Sequence, residues 1–103
     1  MIQELTPIEF SKKDKNSYYL IDVRTRDEFD LVNIGGSLIP LDELNSRSHE
    51  IKDDKDIVLI CHHGRRSMFA CQMLENLGFN NLYNFTGGID RYAIEVDQNI
   101  TRY

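Results

Sequence analysis

The segment IVLICHHGRRS, residues 57–67, decides the fold of this chain. Four apolar residues lead into Cys61, and two histidines, a glycine, two arginines and a serine follow directly. An unbroken apolar run is typical of a strand covered on both faces, as in a parallel sheet. Because glycine permits a sharp turn and an amphipathic helical pattern starts at Ser67, the segment predicts a buried strand, a tight turn and a helix.

Strand-like and helix-like segments alternate along the rest of the chain. Thr6 and Thr25 are each followed three residues later by a glutamate, which is the capping-box pattern that starts helices. The full pattern predicts strands over 18–23, 37–40, 56–61 and 81–85, helices over 7–13, 26–32, 41–47 and 67–77, and a last helix after the glycine pair 87–88. This alternation predicts an α/β domain with a mainly parallel sheet and helices on both faces.

Length and composition are those of an ordinary globular domain. The chain has 103 residues, 41% hydrophobic and 28% charged, with a formal net charge of −5. Negative charge disfavours non-specific binding to nucleic acid, and no apolar run approaches the ~20 residues that span a bilayer. We therefore expect a single domain over residues 1–103, with no nucleic acid and no membrane as partner.

The cysteine count and the first residues indicate a reducing compartment. Cys61 and Cys71 are too few for a disulfide framework. MIQELTPIEF has no basic region followed by an apolar run, so it is not a secretory signal. We expect a cytoplasmic protein with free thiols. Cys71 should fill the core beside the apolar stripe of its helix, although a role as resolving thiol for Cys61 stays open.

Cys61 itself is placed for chemistry. Ligands of α/β sheets bind at the carboxyl ends of strands, and the first N–H groups of a helix lack partners within it. Those groups, the helix dipole and the guanidinium groups of Arg65 and Arg66 make a positive site, which suits an anion and lowers the pKa of a thiol. A cysteine at a strand end is otherwise ordinary core filler. The coincidence of all these features favours an activated nucleophile.

Four segments, in order, resemble the single-domain rhodaneses, which are thiosulfate and persulfide sulfurtransferases. CHHGRRS resembles the family's Cys-x-x-Gly-x-Arg-Ser loop, and IDVRTRDEF resembles its Asp-Val-Arg-x-x-x-Glu-Phe segment. NIGGSLIPL and FTGGIDRY resemble its His-Ile-x-Gly and Gly-Gly motifs, with Asn33 in place of the histidine at a position that supports local packing. The tail EVDQNITRY is similar to the ending of rhodanese domains found alone or fused to enzymes that activate sulfur-carrier proteins.

The resemblance implies a rhodanese-like fold, a five-stranded parallel sheet of order 1-5-4-2-3 flanked by helices. It also implies a sulfurtransferase that needs no cofactor. Cys61 would take the outer sulfur of thiosulfate or of a persulfide and pass it to cyanide or a thiol, with ping-pong kinetics. A protein persulfide donor or a sulfur carrier also fits as a partner.

The expected substrate-binding residues form the loop after Cys61, namely His62, His63, Gly64, Arg65, Arg66 and Ser67. Arg66 should face the anionic donor or clamp the loop, with Arg65 as the alternative. Ser67 should cap the helix, and its hydroxyl could also reach the sulfur.

Supporting residues and histidines complete the expected site. By resemblance, Asp22, Arg24 and Glu28 support the loop without entering the chemistry. The two adjacent histidines should point apart, and either shape the loop mouth or face solvent. Because only His49 remains elsewhere, we expect no metal site.

Two other functions stay open. A cysteine-dependent phosphatase or arsenate reductase uses a Cys-x5-Arg loop that wraps three oxygens, whereas Cys61 to Arg66 is Cys-x4-Arg, one residue shorter. The tighter ring suits a single sulfur atom. A binding module that kept the fold and lost catalysis is the other alternative, and the intact Cys61 and Arg66 argue against it.

Overall fold

The centre of the molecule is a five-stranded sheet in which all neighbouring strands are parallel. It is seen in a computed structural model that describes residues 1–103. The strands are β1 (Ile2–Leu5), β2 (Tyr18–Asp22), β3 (Ser37–Leu38), β4 (Asp56–Ile60) and β5 (Leu82–Phe85). Their order is β1-β5-β4-β2-β3, which confirms the expected architecture and places β4 at the centre.

Helices and short 3-10 turns connect the strands. The α-helices are α1 (Pro7–Ser11), α2 (Arg26–Leu31), α3 (Leu44–Arg47), α4 (Arg65–Asn76) and α5 (Gly88–Glu95), and the 3-10 turns are Lys15–Ser17, Leu41–Glu43 and Ser48–Glu50. Thr6 and Thr25 form the predicted capping boxes at the starts of α1 and α2. None of these helices combines the length and the apolar character that crossing a membrane requires.

The central strand β4 is covered on both faces, as its apolar run predicts. Ile57, Val58, Leu59 and Ile60 are fully buried. Ile57 and Leu59 pack with side chains of α3 and α4, whereas Val58 and Ile60 pack with side chains of α1 and α5. Burial of each such side chain contributes about 1.5–3 kcal/mol of stability. The strand is therefore a rigid support for the residue that follows it, Cys61.

Two elements differ from the local pattern of the sequence. The pattern does not indicate β1, in which Gln3 and Glu4 are exposed because the strand lies at the sheet edge and pairs only with β5. The helix α4 begins at Arg65 rather than Ser67. Gly64 adopts a left-handed conformation (φ +100°) and leads the chain straight into the helix. The prediction that Ser67 caps α4 is therefore wrong, because Ser67 lies within its first turn.

Asn33, which replaces the family histidine, closes the turn after α2 with its own side chain. Its Nδ2 donates to the Phe29 carbonyl oxygen (3.0 Å), and its Oδ1 accepts from the Gly35 N–H (2.9 Å). These local hydrogen bonds keep the turn closed without a histidine.

Candidate active site

Cys61 follows β4 directly and has 1% of its surface exposed. Its Sγ accepts hydrogen bonds from the backbone N–H groups of Gly64 (3.1 Å) and Ser67 (3.3 Å). The second group lies in the first turn of α4, where N–H groups lack helical partners and carry the positive end of the helix dipole. Two donors directed at one sulfur stabilise negative charge there.

The start of α5 holds the loop of Cys61 from another side. The Ile89 N–H donates to the Cys61 carbonyl oxygen (2.9 Å), and the Asp90 N–H donates to that of His62 (3.2 Å). At Gly88 an added Cβ would lie 2.3 Å from the His62 carbonyl oxygen, and the φ angle there is +63°. Only glycine permits this close approach of α5 to the loop.

The Ser67 hydroxyl connects Cys61 to a buried polar chain. The Cys61 S–H donates to Ser67 Oγ (3.3 Å), and the Ser67 hydroxyl donates to Asn84 Oδ1 (2.5 Å). Asn84 lies on β5, where its Nδ2 donates to the Gly64 carbonyl oxygen (3.2 Å) and to the carboxylate of Glu4 on β1. Sequence reasoning missed Asn84. Its signal is an amide in an otherwise apolar strand, because a buried amide requires hydrogen-bonding partners.

Arg66 binds Glu28 of α2. Its Nη1 and Nη2 donate to the two carboxylate oxygens at 2.7 and 2.9 Å. This pair holds the pKa of Glu28 well below its usual range. Of the two roles expected for Arg66, the contacts fit clamping of the loop. Arg65 is exposed and forms no ion pair, so its charge is available to an anion.

Asp22 and Arg24 form a buried ion pair at the end of β2. Arg24 Nη2 lies 2.7 Å from Asp22 Oδ2, and both side chains are almost fully covered. The same guanidinium donates to the carbonyl oxygens of Val32 (2.7 Å) and Glu28 (3.3 Å). The pair therefore ties the end of β2 to the end of α2. Breaking a buried pair on one side is costly, about 3–5 kcal/mol.

Tyr103, which sequence reasoning also missed, completes this network. Its hydroxyl accepts from Arg24 Nη1 (2.9 Å) and donates to Glu28 Oε2 (2.7 Å). Its ring stacks on His62, with centroids 3.9 Å apart and an interplanar angle of 7°. Arg102 anchors the same tail segment by donating to Asp90 at 2.8 Å. No local pattern signals this role, which depends on the tail folding back across the loop.

His62 and His63 stack on each other, so the expectation that they point apart is wrong. Their centroids are 3.8 Å apart at an angle of 29°. Tyr103 holds the other face of His62, while Asp90 Oδ2 lies 3.8 Å from His63 Nε2. Burial lowers the pKa of His62, and the neighbouring His63 acts in the same direction. His62 therefore favours its neutral form.

Side-chain atoms of His62, His63 and Asp90 lie within 4.8 Å of one another, close enough to raise the question of a metal ion. The Asp90 carboxylate is already bound by Arg102, which lowers the pKa of Asp90. The group is a poor tetrahedral site, and the absence of a metal stays our prediction.

Cys71 is fully buried on the inner face of α4. Burial raises its pKa to about 12, so that its thiolate is scarce near neutral pH. These properties fit core filler and do not suit a resolving thiol.

The chain resembles known proteins over most of its length. The family described as Rhodanese-like domain matches residues 6–95. A sulfurtransferase from Allochromatium vinosum is 32% identical over 96 residues, covering 90% of the chain and 90% of that protein. The adenylyltransferase and sulfurtransferase UBA4 from Meyerozyma guilliermondii is 30% identical over 110 residues, covering 98% of the chain but 26% of that protein. The chain spans between 26% and 49% of the length of the first curated relatives it matches.

A solved structure agrees with the sequence match. A rhodanese-related protein from Thermoplasma volcanium has a TM-score of 0.83 at 28% identity, covering 91% of this chain and 93% of that one. The matched family segment runs from the cap of α1 to the end of α5 and includes the whole cysteine loop. By sequence and by fold, this chain belongs to the rhodanese-like domain family.

Proposed function

We propose that this chain is a sulfurtransferase that carries a sulfane sulfur on Cys61 between a donor and an acceptor. Its family and its similarity to proteins named sulfurtransferases support sulfur transfer in general. The observation that carries the proposal is the Cys61 sulfur, which directly follows the central strand and accepts hydrogen bonds from two backbone N–H groups. Such a cradle stabilises the Cys61 thiolate before the transfer, and again when that thiolate is the leaving group of the second half-reaction.

The reaction has two half-reactions that balance without a cofactor. The Cys61 thiolate attacks the outer sulfur of thiosulfate, a new S–S bond forms, and sulfite leaves with the electron pair of the old one. Cyanide or a thiolate then attacks the outer sulfur of the persulfide, and the Cys61 thiolate leaves with the electron pair. Because the first product leaves before the acceptor reacts with the covalent intermediate, the kinetics are ping-pong.

We assign Arg65 to the anionic donor. Both arginines border a surface hollow with Leu41 and Phe69, but Arg66 is held by Glu28, whereas Arg65 is exposed and unpaired. A guanidinium beside the loop attracts thiosulfate, and one of its N–H pairs can bind two oxygens of the sulfonate end. His62 and His63 shape the mouth of the loop in this proposal.

The same contacts disfavour a phosphatase or an arsenate reductase. That chemistry requires an arginine and a ring of N–H groups around three anion oxygens, and here the arginine at the corresponding loop end is bound to Glu28 at 2.7 Å. The short Cys-x4-Arg loop also argues against a phosphatase or an arsenate reductase. A binding module without catalysis has no need of a cysteine held by two donors.

We further propose a protein persulfide donor or a sulfur carrier among the partners, and a cytoplasmic location. One relative is named both an adenylyltransferase and a sulfurtransferase, which supports a partner in protein-bound sulfur transfer. The exposed Phe69 and Arg65 offer a contact surface beside the loop. The two free cysteines support a reducing compartment.

Sulfur loading tests the proposal. The protein is incubated with thiosulfate, freed from excess reagent and measured by intact mass. We expect one added sulfur in the wild type and in Cys71→Ser, the matched control, and none in Cys61→Ser. No loading by thiosulfate or by a cysteine-desulfurase persulfide contradicts the proposal. Phosphate-ester turnover that Cys61→Ser abolishes, without any loading, would favour the phosphatase.

A further inference from the structure

We propose that Asn84 is a positioning residue that fixes the hydroxyl hydrogen of Ser67, and thereby sets the pH at which Cys61 becomes reactive. Asn84 does not touch the reacting sulfur. It acts through Ser67, whose Oγ lies 3.3 Å from Cys61 Sγ and 2.5 Å from Asn84 Oδ1. Both residues are buried, so water does not compete for these bonds.

The orientation of the Asn84 amide follows from its neighbours. The atom assigned as Nδ2 faces the Gly64 carbonyl oxygen at 3.2 Å and the two Glu4 carboxylate oxygens at 3.2 and 3.3 Å. All three are acceptors, so only the NH₂ end of the amide satisfies them. The Oδ1 end therefore faces Ser67 and accepts its hydrogen. Thr86, which donates to Glu4 at 2.6 Å, holds the carboxylate in place.

A serine hydroxyl has a single hydrogen. Because that hydrogen is donated in the hydrogen bond to Asn84 Oδ1, Ser67 presents only lone pairs to Cys61. Ser67 therefore accepts from the S–H of the thiol and opposes a negative charge on the sulfur. The backbone N–H groups of Gly64 and Ser67 have the opposite effect. The reactivity of Cys61 reflects the balance between the two N–H groups and the fixed hydroxyl.

This balance distinguishes the free enzyme from the loaded one. In the free enzyme a thiolate at Cys61 faces the Ser67 lone pairs, which raises its free energy. In a persulfide the charge lies on the outer sulfur, and Sγ is neutral with no proton. The Ser67 hydroxyl can then keep its hydrogen bond to Asn84 without destabilising the sulfur. Asn84 thus favours the loaded form over the free thiolate, an inference that rests on the proposed function.

A substitution at Asn84 removes no charge near Cys61, although Glu4 loses the hydrogen bonds from the Asn84 amide. The charged groups on the surrounding elements are Arg66 of α4 with its partner Glu28 of α2, Asp22 of β2 with its partner Arg24, Glu4 of β1 and Asp90 of α5. The titratable groups Cys71 of α4 and His62, the next residue in the chain, complete the surroundings. A double-mutant cycle removes their contribution, because it compares the same substitution with and without the Ser67 hydroxyl.

The experiment measures the rate of Cys61 alkylation by iodoacetamide against pH, in a Cys71→Ser background. Asn84→Leu keeps the side-chain size, removes the acceptor and frees the Ser67 hydrogen to donate to the thiolate. We expect the midpoint of the profile to move down by about one pH unit, a tenfold change in thiolate at lower pH. In a Ser67→Ala background, Asn84→Leu should produce no further shift.

Ser67→Ala alone provides an independent test if Asn84→Leu does not fold. Loss of the acceptor for the S–H should also move the midpoint down. An upward or absent shift in either single variant, or an equal Asn84→Leu shift in both backgrounds, overturns the proposal. Alkylation needs no sulfur transfer, so a failure here is distinguishable from a failure of sulfur loading.

Discussion

The adjacent arginines of the active loop, Arg65 and Arg66, have different surroundings. Arg66 makes two hydrogen bonds to Glu28, and these bonds hold the loop against α2. Arg65 and Arg66 both line a surface hollow, but Arg65 is exposed and has no carboxylate partner. A motif can locate two cations beside a cysteine, but it cannot show which of them is neutralised, because the carboxylate comes from a segment nearly forty residues earlier.

At Arg65, we predict an effect on the donor and none on the fold. Arg65→Gln should slow loading of Cys61 by thiosulfate about fivefold, which corresponds to roughly 1 kcal/mol of screened attraction. The wild-type rate should fall with added salt more steeply than the variant rate. Arg47→Gln removes the same charge outside the loop and is the control. Equal loading rates for all three proteins would exclude Arg65 as the donor site.

At Cys71, we predict an inert thiol. Both cysteines are buried, but the pKa of Cys71 is raised to about 12, whereas Cys61 has backbone N–H donors that stabilise its thiolate. Iodoacetamide at pH 8 should therefore modify Cys61 in the native protein and leave Cys71 unmodified. Both should react after unfolding in urea. Peptide mass spectrometry measures the two yields. Comparable yields in the native protein would show that Cys71 is accessible and would reopen a resolving role.

Among the elements, α5 and α2 hold the cysteine loop from two sides. The α5 contact is made by backbone groups, because Ile89 and Asp90 donate to the two carbonyl oxygens that open the loop. The α2 contact is ionic, through Glu28 and Arg66. Both elements are therefore part of the site although neither supplies the nucleophile.

The α5 contact predicts a strong effect of Gly88→Ala. The left-handed backbone costs about 1–2 kcal/mol for a non-glycine residue, and the clash with the His62 carbonyl adds about 1–3 kcal/mol. Urea denaturation should show the lost stability, and the loading of Cys61 should fall. Gly78→Ala is the matched control, since φ is +97° there but no atom lies within 4 Å of an added Cβ. Equal stability losses in the two variants contradict a tight loop contact.

The α2 contact predicts a pH-dependent contribution to stability. Because Arg66 lowers the folded-state pKa of Glu28, the stabilisation is complete above the unfolded value of about 4.3 and is lost as pH falls towards the folded one. The free energy of unfolding of the wild type should exceed that of Glu28→Gln by on the order of 1 kcal/mol at pH 6. The difference should become smaller as pH falls below 4. Urea unfolding curves measure this difference. A difference that does not shrink in acid, or that is equally large in an Arg66→Gln background, argues against the pair.

Elements with local signals are predictable, whereas those set by distant contacts are not. The capping boxes of Thr6 and Thr25 and the apolar run of β4 depend on neighbouring residues, and the structure has them where the sequence predicts them. β1 lacks such a signal because half of it faces solvent at the sheet edge. The start of α4 depends on the left-handed turn at Gly64. A glycine permits this conformation but does not require it.

Over the whole molecule, the site depends on contacts between the two ends of the chain. Tyr103 contacts Arg24 and Glu28, and Glu4 contacts Asn84 and Thr86. The residues in these pairs are 75 to 82 positions apart in the sequence. The cysteine loop is a short motif and could be found in the sequence. Its polar surroundings are tertiary, and no spacing rule brings these residues together.

The most direct test of the persulfide mechanism separates the two half-reactions. The protein is loaded with thiosulfate, desalted and mixed with cyanide alone, and thiocyanate and intact mass are measured. We predict one thiocyanate per loaded protein and a return to the unloaded mass, with neither signal in Cys61→Ser. Thiocyanate that forms only while thiosulfate and cyanide are both present, from a protein that carries no sulfur after desalting, would contradict a persulfide on Cys61.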